Sequence, residues 1–507
     1  MQGEFRGDFT RDTFNPSKQF LRVFMQQGRV QLDADWNEQV SILLDYVQTL
    51  ATDLIGPYGG PKDNCGFEII AIAKIEDIDT LQISKTEKDD LKAQFTKLSS
   101  SNDKINFLIG TGHYYVHGKL CQNQKYVFYS GQANYPFSAE EKLEANQTYL
   151  VYLDVWERHI SFVEDESDLV PGIREIALGK ADTTTRSQLI WQLKVVPIIV
   201  AELSLPENGD QALTQKIAGK VKTDPKITLN TILKGSVKPG TGLLKAQAKI
   251  PAGADANDLC TISPDSRYRG AENQLYRVEI HQSGEAGKAT FKWSRENGSV
   301  IFPVQQVGDK TITLGHLGWD DRFSLKTGDW VELVDDNYEL QGLAKPLCQV
   351  DFTIDPMEMT VPLKNGFSPR SVSEQSHPLI RRWDQQENSN ITLKDGTIPV
   401  VEGGWIDLES GVEIYFSKPK EGAPAHFYAT GDYWLIPARA ATGDVEWLQE
   451  REGNTLVPIT VPPHGVEHHY APMWIISVNA DGNVTAEAEG DCRCQFPNLC
   501  QLNQGQS

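Results

Sequence analysis

The sequence lacks any apolar run long enough to cross a membrane. Its strongest apolar segments, such as Val195–Val200, fall far short of the roughly 20 residues that a spanning helix needs. The opening residues, Met1–Asn15, are polar and charged and contain no apolar stretch of the kind found in secretion signals. We therefore expect a cytoplasmic protein that does not insert directly into a membrane.

Positive charge is also scarce. The chain has 48 Lys and Arg residues against 69 Asp and Glu residues, which gives a formal net charge of −21. Proteins that bind nucleic acids concentrate basic residues in one stretch or on one face, and no such stretch occurs here. The composition argues against a nucleic-acid partner, and its ordinary consequence is solubility.

Recognisable catalytic sequence patterns are missing as well. The chain contains no GxxxxGK[ST] phosphate loop, no GxSxG nucleophile turn and no kinase motif set. The 7 cysteines form an odd, mostly scattered set, which is a poor framework for disulfides. We predict that the protein is not an enzyme and that it needs no cofactor.

The sequence is rich in turn-forming Gly and Pro residues and in short apolar segments. Its 41 Gly and 26 Pro residues separate many β-branched and aromatic stretches, and its 507 residues exceed a single core. We predict a mainly β, multi-domain protein with sandwich-like or barrel-like units, an N-terminal arm and one long amphipathic helix. The predicted segments are an arm and helix at 1–60, a mixed, mainly β domain at 61–205, a connector at 206–255, a β domain at 256–370 and a C-terminal β domain at 371–507.

The arm and the helix are the candidate assembly interface. Aromatic residues at intervals along a terminal arm anchor it either to its own chain or to a neighbour. The helix is predicted from Asp33 to Ile55, stopped by Gly56-Pro57, with large residues at steps of 4, 3, 4, 3 and 4. This spacing favours pairing with other copies or subunits, although an amphipathic helix on its own domain has the same pattern. The candidate interface residues are Phe5, Phe9, Phe14, Trp36, Val40, Leu43, Val47, Leu50 and Leu54.

Two clusters could bind metal. Three imidazoles (His464, His468 and His469) lie within six residues, but nearby prolines and Gly465 disfavour the helix that would bring them together, so structural hydrogen bonds are favoured. Cys492, Cys494 and Cys500 lack the paired CxxC motifs of a zinc site, which favours packing roles. We predict no metal at either cluster.

Carboxylates beside aromatic residues suggest a second class of function. They occur in Trp319–Asp321, in Asp329–Glu332 and in Trp405–Glu409, where strand alternation would place Asp407 and Glu409 on one face. Paired carboxyl groups cleave glycosidic bonds, and aromatic rings bind sugars. A half-exposed strand gives the same alternation, and this is its commoner cause. A carbohydrate-binding or carbohydrate-cleaving module is therefore the alternative function.

Several motifs together resemble a known family. The chain is similar to an uncharacterised family of large bacterial proteins that open with FRGDFTRDTF and occur with phage-tail-like contractile injection systems. The motifs that carry the resemblance are FRGDFTRDTF at 5–14, MQQGRVQLDADWNE at 25–38, YLDVWER at 152–158, REIALG at 174–179, KWSRENG at 292–298, GDYWLIPAR at 431–439 and HHYAP at 468–472.

The resemblance implies a structural component of such a particle, in its baseplate, crown or a fibre-like accessory. Its partners would be other copies of itself and other subunits of the particle, and it would reach a membrane only through them. Symmetric particles are built from repeated copies, which agrees with an anchoring arm and a helix with an apolar seam. Deleting residues 1–56 is expected to leave a folded protein that no longer assembles.

Overall fold

The computed structural model describes residues 5–100, 107–136, 143–165, 171–203, 205, 212–233, 238–249, 267–318, 320, 322–351, 359–364, 376–387 and 391–502. It is mainly β, with 35% strand and 20% helix, and several of its sheets curl into half-barrels. This confirms the predicted mainly β, multi-domain class.

The helices of the described residues are α1 (Asp33–Ile55), α2 (Lys85–Ser100), α3 (Leu213–Thr223), α4 (Pro225–Ile232), α5 (Asp336–Leu340) and α6 (Leu499–Leu502). The strands are β1 (Tyr58–Pro61), β2 (Ile69–Ala71), β3 (Phe107–Ile109), β4 (Gly112–Val116), β5 (Lys119–Asn123), β6 (Val127–Phe128), β7 (Thr148–Ile160), β8 (Arg186–Pro197), β9 (Leu244–Ala248), β10 (Gln274–Gln282), β11 (Thr290–Ser294), β12 (Ile301–Val307), β13 (Thr311–Leu314), β14 (Trp330–Val334), β15 (Cys348–Gln349), β16 (Thr360–Pro362), β17 (Leu379–Trp383), β18 (Ile398–Pro399), β19 (Trp405–Glu409), β20 (Val412–Phe416), β21 (Tyr433–Arg439), β22 (Asp444–Val445), β23 (Gln449–Glu452), β24 (Thr455–Pro458), β25 (His469–Val478), β26 (Val484–Thr485) and β27 (Gln495–Phe496).

The chain folds into two compact units, each assembled from three separate stretches of sequence. The first unit comprises Met1–Ile42, Glu157–Gln188 and Lys238–Val466, and the second comprises Leu43–Trp156, Leu189–Val237 and Glu467–Ser507. Both units therefore depend on pairing between residues that are far apart in the sequence.

The first unit contains four sheets among its described residues. Their strand orders are β18-β11-β10-β21-β22, β15-β14-β17-β12-β13-β16, β19-β20-β9 and β23-β24. Strand β10 lies at the centre of the first sheet, between β11 and β21. Its alternate residues Tyr276, Val278 and Ile280 pack into an apolar core shared with Phe291, Trp434 and Phe416. The other face of β10 carries charged residues that are also buried.

The second unit is built around the sheet β26-β25-β7-β8, with the sheets β27-β1-β4-β5 and β2-β3-β6. Alternate residues of β7, such as Val151 and Leu153, enter a core with Tyr114 and Met473. Helices α3 and α4 lie within the predicted connector 206–255, and their residues Ile217 and Leu229 enter a second core. Neither helix is evident from the sequence, because their apolar residues are few and most of the segment is polar.

From the sequence alone, Asn297-Gly298 is expected to form a type I′ turn between the two strands of a β-hairpin. Both residues have positive φ angles, 53° and 67°, as a type I′ turn requires. However, the preceding strand β11 pairs with β10 and β18, whereas the following strand β12 pairs with β13 and β17. The prediction of a hairpin is therefore wrong, because this turn joins strands of two different sheets.

Candidate functional site

The N-terminal arm is built into the first unit through its backbone. The Phe5 carbonyl accepts hydrogen bonds from Arg277 Nη1 (3.1 Å) and Asn297 Nδ2 (3.1 Å), and the Gly7 carbonyl accepts one from the same Asn297 amide (2.9 Å). A Cβ on Gly7 would lie 2.4 Å from the Phe9 ring. A side chain at position 7 would therefore displace the Phe9 ring from this position.

The arm also places a guanidinium in the protein interior. Arg6 Nη2 donates to both carboxylate oxygens of Glu279, at 3.2 and 3.3 Å, and Arg6 Nη1 lies 3.4 Å from Glu339 Oε1. Arg277 Nε donates to Glu279 Oε2 at 2.6 Å, while its guanidinium lies 3.6 Å from the centre of the Tyr433 ring. Glu279 is therefore held by cations from the arm and from its own strand.

Glu339 extends this network. It accepts hydrogen bonds from Arg158 Nη2 (3.0 Å) and Arg381 Nη2 (3.3 Å) in addition to the contact with Arg6. Burial alone would raise the pKa of Glu339, but the three guanidinium groups lower this pKa to about 2. The carboxylate is therefore charged over the whole physiological pH range.

Glu332 forms the other end of the network. Its carboxylate accepts hydrogen bonds from Lys292 Nζ (2.6 Å), Trp383 Nε1 (2.9 Å) and the Tyr338 hydroxyl (2.6 Å). Lys292 Nζ also lies 3.4 Å from Glu279 Oε1 and so links the two carboxylates. We call the following eight residues the buried charge cluster, since each of their side chains is at most 8% exposed: Arg6, Arg158, Arg277, Glu279, Lys292, Glu332, Glu339 and Arg381.

The cluster explains several of the sequence motifs. Arg6 comes from FRGDFTRDTF, Arg158 from YLDVWER, and Lys292 with Asn297 from KWSRENG. Tyr433, which lies under Arg277, belongs to GDYWLIPAR. Sequence analysis did not find this convergence, because the motifs lie far apart and the charged residues alternate with apolar ones as on an exposed strand. Paired and enclosed in this way, the charges act as an anchor for the arm.

Two predicted interface aromatics, Phe5 and Phe9, contact the first unit itself. Their rings meet the His159 ring edge-on at centroid distances of 6.2 and 6.4 Å. Burial and the neighbouring Arg6 lower the pKa of His159 to about 3, so this imidazole is neutral. Phe14, the third aromatic, is half-buried, and its backbone N–H bonds to the Asp12 carboxylate. Their assignment to an interface between subunits stays a prediction.

Helix α1 extends over the predicted bounds but turns its large residues away from its own chain. Its six predicted seam residues, at positions 36, 40, 43, 47, 50 and 54, are between 40% and 78% exposed. The residues buried on the opposite side are Ala34 and Ile42. In the second unit a Cβ on Gly118 would lie only 2.3 Å from the Gln48 carbonyl oxygen, so this side of α1 lies directly against the backbone. The helix thus buries Ala34 and Ile42 and exposes the six seam residues.

The segment before α1 is apolar and exposed too. Its large residues are 43% to 84% exposed and are Phe20, Leu21, Phe24, Met25, Val30 and Leu32. The Val23 N–H donates to Gln39 Oε1 at 2.8 Å and so ties the segment to α1. These residues follow neither a helical nor a strand period, so the sequence pattern does not predict that they share a surface. Together with the seam of α1 they form what we call the apolar surface, residues 20–54.

The three histidines at 464–469 have separate structural partners. His464 pairs with Tyr433 through backbone hydrogen bonds of 2.8 and 2.9 Å. In the second unit, His468 Nδ1 lies 2.7 Å from the buried Asp154 carboxylate, which also binds Lys194, and His469 stacks on His117 at 4.6 Å. Within the described ranges, no three His, Cys, Asp or Glu side chains are grouped so as to hold a metal ion.

The C-terminal cysteines are free thiols, with Cys492 buried and Cys494 and Cys500 exposed. Burial raises the pKa of the Cys492 thiol to about 12, so this thiol is unreactive at neutral pH. Its Sγ lies 3.4 Å from the Gly490 carbonyl oxygen. This environment suits a packing residue.

The acidic residues near aromatics do not form a glycosidase pair. A bulge interrupts β19 between Asp407 and Glu409, so the expected alternation fails, and Asp407 is exposed while Glu409 binds Arg295 (2.8 Å) and Tyr276 (3.0 Å). Placing Asp407 and Glu409 on one face was therefore wrong. Glu332 belongs to the buried charge cluster, and Trp319 and Asp321 lie outside the described residues.

These features define a mainly β protein of two compact units with an N-terminal arm anchored in the first. The chain belongs to a family of unknown function, DUF6519, whose model matches residues 5–238 and 236–506. No curated protein and no solved structure matched the chain. Across the described residues, no helix has the length and apolar character needed to span a membrane.

Proposed function

We propose that the protein is a structural, non-enzymatic subunit that assembles with other copies of itself through the apolar surface. The observation that carries the proposal is the orientation of α1, whose large residues are 40% to 78% exposed while Ala34 and Ile42 are buried. Full burial of one Val or Leu side chain stabilises by about 1.5–3 kcal/mol, so six such residues are a strong drive to associate. A second copy of the chain is the partner that fits this surface best.

The type of residue at each seam position supports pairing between identical helices. In heptad notation Val40, Val47 and Leu54 take the a positions, and Trp36, Leu43 and Leu50 take the d positions. In parallel coiled coils, a β-branched residue at a with Leu at d favours two helices. Two further exposed residues, Leu44 and Tyr46, widen the seam at positions e and g.

The charges of α1 indicate what holds the copies together. The helix carries five acidic residues, Asp33, Asp35, Glu38, Asp45 and Asp53, and no Lys or Arg. Salt bridges between identical helices are therefore impossible, and association must come from apolar burial. It should persist, and strengthen, at high salt, because salt screens the repulsion between the acidic residues.

The particle that we propose is a phage-tail-like contractile injection system, in which the protein belongs to the baseplate, the crown or a fibre-like accessory. The support for this placement is the similarity of the seven motifs to the family that occurs with such systems. The protein would be cytoplasmic, assembled on the particle, with the subunits of the particle as its partners.

The experiment that tests self-association is light scattering on the native, untagged protein at two concentrations and two salt concentrations. We expect an oligomer for the natural sequence and a monomer for the double variant V47E/L50E. Thr49→Glu is the matched control, since Thr49 is exposed on the same helix but lies outside the seam. A monomer at every concentration, or an oligomer that V47E/L50E leaves intact, would contradict the proposal.

Deleting residues 1–56 is a poor test of the same point. The deletion would remove Arg6 from the buried charge cluster together with the apolar surface. Loss of assembly could then follow from misfolding of the first unit. The point variants leave Arg6 in place and change only exposed residues.

A further inference from the structure

The outer face of the sheet β19-β20-β9 carries an aromatic row. Trp405 pairs directly with Tyr415, and Tyr415 pairs directly with Lys245, so the three side chains lie side by side across the three strands. The opposite face of the sheet, with Ala246, Ile414 and other apolar residues, belongs to the core of the first unit. The aromatic row therefore contributes nothing to that core.

The geometry of the row resembles a platform. The Trp405 and Tyr415 ring centroids are 5.3 Å apart with planes inclined by 56°. Lys245 Nζ lies 4.7 Å from the Tyr415 ring and 5.5 Å from the Trp405 ring, and Trp405 is 38% exposed. Since Lys245 Nζ lies over the Tyr415 ring, the exposed Trp405 ring is the surface that can contact the apolar face of a sugar ring, and the nearby amine can donate hydrogen bonds to the hydroxyl groups of that sugar.

A second row of polar groups lies beside the first. Asp407, Glu413 and Gln247 are the next direct partners on this face, about 7 Å further along the strands. Gln247 Nε2 donates to Glu413 Oε1, whereas Glu413 Oε2 is buried without a hydrogen-bond donor among the described residues and lies 3.7 Å from the exposed Lys249 ammonium. Glu413 itself is only 1% exposed, so the groups of this row that a ligand hydroxyl can reach are the exposed Asp407 and the half-buried Gln247.

We propose that this face binds a neutral saccharide chain, with one sugar stacked on Trp405 and hydroxyl groups of the next bonded to the polar row. The two carboxylates of that row and the formal net charge of −21 disfavour an anionic ligand. The inference is independent of self-association, because it uses none of the residues of the apolar surface.

The test begins with the full-length protein on an array of immobilised neutral and acidic oligosaccharides. Neutral polysaccharides that retain the protein are then compared by affinity electrophoresis of the natural sequence and three variants. We expect Trp405→Ala to weaken retention at least tenfold and Trp405→Tyr to keep most of it. The control Leu448→Ala, which removes another exposed apolar side chain from the first unit, should leave retention unchanged. Circular dichroism and melting temperature verify that each variant is folded.

Any of three results of the saccharide test would overturn the proposal, and so would a fourth result obtained with a protein partner. The three saccharide results are no retention by any neutral saccharide, retention that folded W405A keeps in full, and retention confined to acidic saccharides and abolished by salt. The fourth result is that the natural protein binds a protein partner, that folded W405A binds the same partner with a different affinity, and that neither binds a saccharide. This result would identify the aromatic row as a protein interface and would also overturn the proposal.

Discussion

Arg6 and Glu279 form a buried, forked ion pair across 273 positions of the chain, with Arg6 Nη2 at 3.2 Å from one carboxylate oxygen and 3.3 Å from the other. Neither side chain is more than 8% exposed. Buried charges are costly unless they are paired and hydrogen-bonded, so each residue requires the other. The start of the N-terminal arm is therefore part of the interior of the first unit, and the first exposed residue after Arg6 is Asp8.

The first prediction concerns this pair. Replacing Arg6 by Met should lower the free energy of unfolding by about 3 kcal/mol, because Glu279 and Glu339 would lose a buried cation. Arg11→Ala is the matched control in the same arm, since the Arg11–Glu446 pair is 39% and 40% exposed and is expected to contribute less than about 1 kcal/mol. Urea unfolding followed by tryptophan fluorescence measures both. Equal effects of the two substitutions would show that Arg6 is not an internal anchor.

The second prediction concerns Asn297, which bonds to the carbonyl groups of Phe5 and Gly7 and has a positive φ of 53°. Asn297→Gly keeps the backbone conformation accessible but removes both hydrogen bonds, each of which contributes about 0.5–1.5 kcal/mol. We expect trypsin to cleave after Arg11 faster in this variant than in the natural protein. Asn297→Ala should be less stable than Asn297→Gly, because alanine adds the cost of a positive φ. The opposite order would mean that the turn conformation is unimportant.

The third prediction is a loss of stability in acid. Burial lowers the pKa of His159 to about 3 and that of His281 to about 4, both below the ordinary value of 6.5. As the pH falls below 6.5, both histidines become protonated in the unfolded chain but stay neutral in the folded chain. Each histidine should therefore lower the free energy of unfolding by about 2 kcal/mol at pH 5. Neighbouring cations lower the pKa values of Glu332 and Glu339 to about 2, so below pH 4.5 these carboxylates are protonated in the unfolded chain first. The free energy of unfolding therefore falls further in that range.

Unfolding free energies at pH 7 and pH 5 check the histidine contribution. His159→Leu should reduce the difference between the two pH values. His377 provides a control of opposite sign, because its hydrogen bond to Asp336 raises its pKa and so stabilises the fold below that pKa. His377→Ala should therefore increase the difference. A change of the same sign for both variants would contradict the assignment.

The fourth prediction concerns the contact beneath α1 in the second unit. Gly118 has a φ of +73°, and an added Cβ would lie 2.3 Å from the Gln48 carbonyl oxygen. Gly118→Ala should combine the cost of a left-handed backbone, about 1–2 kcal/mol, with overpacking of about 1–3 kcal/mol. Gly482→Ala isolates the first cost, since Gly482 has a φ of +82° and nothing within 4 Å. Thermal unfolding should separate the two variants by several degrees, and similar melting temperatures would refute the close contact.

The predictable parts of this fold are those that neighbouring residues determine. Helix α1 runs from Asp33 to Ile55 as predicted, because acidic residues favour its first turn and Gly56-Pro57 stops it within the same local stretch. The strands β4, β13 and β14 are rich in β-branched and aromatic residues, whose local preference for extended backbone favours strands there. The positive φ angles at Asn297-Gly298 follow from the residue types, but the strands that this turn would connect do not.

What each face of a strand or helix contacts could not be predicted from neighbouring residues. Strand β10 alternates apolar and charged residues as a half-exposed strand does, yet Arg277 and Glu279 are buried among charges from distant parts of the chain. The large residues of α1 are spaced like those of a helix that covers its own domain, yet they are exposed. The same periodicity is found whether the second face of a helix or strand contacts water, a buried ionic partner or another subunit. The reason is that periodicity shows only that the two faces differ.

The sequence by itself thus determined the mainly β class, the extent of α1 and the residue types available for its seam, since these follow from local conformational preference and periodicity. Only the tertiary structure decided that Arg6 lies beside Glu279, that Arg158 and Arg381 meet at Glu339, and that the seam residues of α1 are exposed. The physical reason is that burial and charge pairing depend on which surfaces meet in space, and the partners of each buried charge come from strands and loops remote in the sequence.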